Sequence, residues 1–146
     1  MSTSLASSLG LAKIASTDTI REVLRTQISS TARPALHRSS FEPAGGSAKE
    51  DWKETVQALS GGVLAVIERA ISKGTDLLLE GVHYLPNKEV IDLWREAGGV
   101  AIGVVLYVSS EERHRGMIAN REKHNGKKVD HLSLIHISEP TRRTII

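Results

Sequence analysis

The feature that most restricts the fold is a short apolar run, Asp76 to Leu79, set between Gly74 and Gly81. A run of that length without alternation predicts a strand buried on both faces, the kind found in helix-covered parallel sheets. In such sheets ligands bind in the crevice at the carboxyl ends of the strands. At this carboxyl end stand Glu80, Gly81 and His83. Glu80 is placed to face a site, Gly81 lets the backbone turn sharply, and His83 lies within reach of both. The plainer reading is a buried strand followed by a polar loop, with the acid capping the next helix.

The rest of the chain alternates in the same way. Its 146 residues are enough for one core. Leu5, Ala6 and Leu9 share a helical face that stops at Gly10, and Leu11 to Ser16 reads as a strand. Ser16 or Asp18 can cap the next helix, on which Arg21 and Arg25 lie one turn apart on one face. That pattern suits an anion-binding stripe, or simply a capped surface helix. Residues 31–49, with Pro34, Pro43, Gly45 and Gly46, predict a long loop. From Asp51 to Lys73 the apolar spacing is helical, through Trp52, Val56, Leu59, Val63, Val66, Ile67 and Ala70. Gly61 and Gly62 mark a bend in it or a close contact with the sheet. A helix is expected from Asn87 to Ala97, and Val100 to Val108 is the clearest strand, rich in β-branched residues and expected to be buried on both faces. The helix after Ser109 carries Arg113, Arg115 and Arg121.

Strands alternating with helices predict an α/β fold, a parallel sheet with helices on both faces. Three strand ends would then share a rim: Asp18, the Glu80–His83 group, and the arginine helix. Acids and arginines together suit a small anionic substrate and a metal-bound phosphate donor. A net charge of +2 and five aromatic residues argue against a nucleic-acid partner. The absence of cysteine excludes disulfides and thiolate metal sites. Histidine–carboxylate zinc sites of the HExxH type are absent, and no apolar run nears the roughly 20 residues that span a bilayer. No membrane role and a cytoplasmic location are therefore the default expectations; oligomeric state is not legible.

Three motifs in order sharpen this: Ser16-Thr17-Asp18-Thr19-Ile20-Arg21-Glu22-Val23-Leu24-Arg25, then Ala35-Leu36-His37-Arg38-Ser39-Ser40-Phe41, then Leu79-Glu80-Gly81-Val82-His83-Tyr84-Leu85-Pro86. Together they resemble the 2-phosphoglycerate kinase family of P-loop kinases, over about residues 2–131. The resemblance implies a three-layer P-loop kinase-like fold and transfer of the ATP γ-phosphate to 2-phosphoglycerate with Mg2+. Asp18 and Glu80 would be catalytic, Asp18 orienting or deprotonating the acceptor hydroxyl. Arg21, Arg25, His37, Arg38 and His83 would bind substrate. Ser2, Thr3, Arg113, Arg115 and Arg121 would meet the nucleotide phosphates, and Ser2 and Glu80 the metal. Another metabolite or toxin-type P-loop kinase, or a non-catalytic binding module, fits the same residues.

One departure is large. The phosphate-binding signature G-x-x-x-x-G-K-[ST] occurs nowhere in the 146 residues. Ser2 and Thr3 resemble the residues immediately after such a lysine. The expectation is therefore an incomplete fold, lacking its central strand and phosphate loop, and an inactive chain. Residues 132–142 resemble a translated sequencing-library adaptor, so residues 132–146 are expected to be a non-native, disordered tail beyond a partial domain of residues 1–131.

Overall fold

The computed structural model describes residues 2–38, 47–106, 108–124 and 143–145. The elements run α1 (Ser2–Leu9), β1 (Ile14–Ser16), α2 (Thr17–Gln27), α3 (Pro34–His37), α4 (Ala48–Ser72), β2 (Leu78–Gly81), α5 (Lys88–Glu96), β3 (Val104–Leu106), α6 (Glu111–His124) and β4 (Arg143–Ile145). The chain divides into two units, Met1–Val105 with Arg143–Ile146, and Leu106–Arg142. The architecture is α/β, as expected.

Helix limits follow local chemistry. Ser16 caps α2 by accepting from the Asp18 amide at 3.2 Å, so Asp18 lies in the first turn instead of capping it. Ser47 and Glu50 form a capping box that starts α4, and the bonds from Ser47 hold the Glu50 carboxyl below its ordinary range. Asn87 caps α5 through the Val90 amide. The residues between Thr31 and Lys49 are not all loop: Pro34 opens the short α3.

The core of the first unit lies under α4, whose Leu59, Val63 and Ile67 pack with Leu36, Leu79 and Tyr84. Burial pushes the Tyr84 hydroxyl up to about 12. Helix α4 is unbroken at its glycines. A side chain at Gly62 would meet Ile20 Cγ2 at 2.9 Å and Leu24 Cδ1 at 3.1 Å, so this glycine serves a close approach between α4 and α2, not to the sheet.

The sheet order is β1-β2-β4-β3. β1 and β2 are parallel, with Ile14 opposite Leu78 and Ser16 opposite Glu80. β2 and β4 are antiparallel, with Glu80 opposite Ile145 and Gly81 opposite Thr144. One expectation is corrected here: Arg143–Ile145 forms a strand antiparallel to β2, so the sheet is mixed and not parallel throughout. Residues 125–142, which hold the adaptor-like stretch, lie outside the described residues.

Among the described residues from Val100 to Val108, strand is confined to Val104–Leu106. Val100, Ile102, Val104 and Val105 are 85%, 67%, 41% and 45% exposed. β-branching favours extended backbone, but burial on two faces needs a covering layer on each, and these side chains lack one.

Candidate functional site

The parallel pairing of β1 with β2 stops at Ser16 opposite Glu80, and the chain beyond each strand end turns over the same edge. From β1 come Thr17 and Asp18 in the first turn of α2; from β2 come Gly81, Val82 and His83. The two segments touch at Thr17 and Gly81. Thr17 is fully buried, and Gly81 has φ +150°, a backbone state that side chains rarely adopt. A Cβ at position 81 would overlap the Thr17 side chain. Gly81→Ala is therefore expected to cost about 1–3 kcal/mol through backbone strain alone. A urea unfolding midpoint equal to that of the parent would show that the contact yields freely.

This close approach sets Asp18 against His83. His83 Nδ1 lies 3.7 Å from Asp18 Oδ1, and the two side chains are 4% and 71% exposed respectively. The carboxylate thus meets solvent on one side and a buried imidazole on the other. Trp52, in the first turns of α4, fixes the turn between them by donating from Nε1 to the Val82 carbonyl at 2.6 Å.

The arginines expected to bind substrate are engaged inside the fold. Buried Arg21 donates from Nε to the Leu36 carbonyl at 2.8 Å and from a terminal nitrogen to the Arg38 carbonyl. Its burial, and the neighbouring charge of Arg25, lower its pKa from the ordinary arginine value. Arg38 reaches Asp51 Oδ1 at 3.4 Å and Glu54 Oε2 at 2.8 Å, tying α3 to α4. His37 Nε2 donates to the Ile28 carbonyl at 2.7 Å. Arg25 differs: it is partly exposed, and its partner is Glu22 at 2.8 Å on the same helix. An exposed pair of that kind is worth only about 0.2–1 kcal/mol, so an anion can displace it.

The remaining candidates are carried by α1 and α6. Ser2 and Thr3 form the first turn of α1. Arg113, Arg115 and Arg121 are exposed residues of α6 in the second unit, where Arg115 pairs with Glu111 at 2.5 Å. Among the described residues no three acidic or histidine side chains group to hold a metal ion. A single carboxylate such as half-buried Glu80 suits magnesium, which takes one or two carboxylates together with phosphate oxygens and water. A cavity of about 310 Å³ beside Lys13, Val66, Arg69 and Leu77 adjoins the residues that precede β1 and β2, away from Asp18. Sequence reasoning missed Thr17 and Trp52 as parts of the site. The signal for Thr17 was its place immediately before the acid in the helix start; for Trp52 nothing local marked it.

The chain is 35% identical over 127 residues to a 2-phosphoglycerate kinase of Methanothermobacter thermautotrophicus, a match covering 80% of this chain and 41% of that protein. It is 36% identical over 100 residues to one from Pyrococcus furiosus, covering 63% of this chain and 33% of the relative. The figures for Methanococcus vannielii are 32% over 139 residues, 86% and 44%. Over most of its own length the chain is thus similar to archaeal 2-phosphoglycerate kinases. It spans less than half the length of these curated 2-phosphoglycerate kinases. No protein-family profile matches it, and no solved structure does. Among the described residues no helix is long and apolar enough to cross a membrane.

Proposed function

We propose that this chain carries the acceptor side of an ATP-dependent kinase that phosphorylates 2-phosphoglycerate. The observation that carries the reading is Asp18, an exposed carboxylate at the start of α2 backed by buried His83, in a chain related to proteins named for that reaction. In the proposed reaction Asp18 orients the acceptor hydroxyl and takes its proton as the oxygen attacks phosphorus. Arg25 meets the acid or phosphate group of the acceptor, exchanging its pair with Glu22 for the ligand. Arg21, Arg38 and His37 shape the wall of the site by fixing α3 against α2 and α4. ATP supplies the phosphoryl group and Mg2+ balances its charge; Glu80 is the residue assigned to that ion, directly or through water.

The nucleotide side needs a glycine-rich phosphate loop, and no such sequence occurs in these 146 residues. We assign the place between β2 and β3, held here by antiparallel β4, to the strand that leads into that loop in a complete kinase. The reading is tested by fusing residues 1–131 to a segment that ends in a phosphate loop, and assaying transfer from ATP–magnesium to 2-phosphoglycerate and a panel of other hydroxy acids. Transfer to 2-phosphoglycerate is expected from the fusion, and none from the chain alone. Preference for another acceptor would reassign the substrate, and turnover by the chain alone would refute the division of labour.

A further inference from the structure

We propose that His83 is a positioning residue that holds Asp18, not a ligand for the substrate. The imidazole is 3% exposed, so little of it reaches a molecule bound at the surface. Its place is fixed from three sides. Gly81 brings the strand end against buried Thr17; the Trp52 indole holds the Val82 carbonyl; and His83 itself lies between that turn and the first turn of α2. Asp18, by contrast, has a short side chain exposed to water, where a single rotamer persists only if a neighbour selects it.

The distance of 3.7 Å between Nδ1 and Oδ1 exceeds the 2.7–3.2 Å or so of a formed hydrogen bond. A small rotation of the carboxylate closes it, as polar contacts in ligand-free sites tighten on binding. The ring nitrogen then donates to one carboxylate oxygen and leaves the other facing outward, toward an acceptor hydroxyl. Which imidazole nitrogen carries the proton is set by the partner of the other, so the arrangement requires hydrogen on Nδ1. The catalytic consequence rests on the acceptor role proposed for Asp18; the structural consequence does not.

The test on the chain as it exists is the nitrogen spectrum of its imidazoles in 15N-labelled protein. His83 should carry its proton on Nδ1, and Asp18→Ala should shift it toward the Nε2–H form that free imidazole prefers. His37, which donates from Nε2 to the Ile28 carbonyl, is the internal control: its signals should not move, showing that the fold persists. An Nε2–H ring at His83 in the parent chain, or one indifferent to Asp18→Ala, overturns the proposal. In the fused kinase, His83→Gln should lower kcat roughly tenfold to a hundredfold, the scale of a misplaced reacting group, with little change in the acceptor KM. If Asp18→Asn cuts turnover and His83→Gln does not, the positioning role fails. If Asp18→Asn has no effect while the imidazole signals respond, the pairing stands and the acceptor reading is what fails.

Discussion

Arg21→Ala should destabilise the first unit by about 2–5 kcal/mol, because two carbonyls, one buried and one half-buried, lose their donor at up to about 3 kcal/mol each. The carbonyls are those of Leu36, within α3, and Arg38, its C-cap residue. Against a total stability of about 5–15 kcal/mol for a domain, that loss can unfold the chain. Arg21→Lys should fall between the two: it keeps the charge but replaces a planar fork with one ammonium group that cannot reach both acceptors in the same geometry. Urea denaturation of the three proteins, followed by the fluorescence of Trp52 and Trp94, measures the effect. An Arg21→Ala midpoint matching the parent would mean that the guanidinium contributes nothing to holding α3. A residue read from its spacing as part of an anion stripe thus has its largest expected effect on folding.

Asp18→Asn, in the kinase completed with a phosphate loop, should lower turnover by about 10²–10⁴, the usual contribution of a positioned general base. The amide is close in size, and Ser16 still caps α2, so the fold should be unaffected. ATP affinity should change little, because the residue lies on the acceptor side. Steady-state kinetics with both substrates varied separates these terms. A kcat within about twofold of the parent would reduce Asp18 to a favourable charge near a helix N-terminus, worth only tenths of a kcal/mol.

Much of this arrangement could be read from residues alone, and the reason is locality. The start of α2 and the limits of α5 depend on caps and spacing within a few residues, and Ser16, Asn87 and the apolar positions of α4 announce them. The pairing of Ser16 with Glu80, which brings Asp18 to His83, was within reach because both strand ends carry an acid followed by a turn. What depended on distant partners was not legible. The apolar residues from Val100 to Val108 look like a core strand whether or not anything covers them, and here Val100 and Ile102 face water. Arg21 and Arg25 look identical on a helical wheel, yet one sits under two carbonyls contributed by α3 and its exit, and the other at the surface.

The position of β4 sets the order in which the first unit can be completed as the chain leaves the ribosome. Once residue 81 has emerged, β2 can pair with β1 and settle under α4, since all of those residues precede it. Its other edge waits for Arg143–Ile145, nearly half the chain later. During that interval Glu80 and Gly81 offer unpaired backbone groups to any passing strand, the condition in which partly made chains associate with one another. Contacts so far apart in sequence also form slowly, because a long loop must close before they are made. The strand end that carries the site is thus the last part of the sheet to acquire both neighbours.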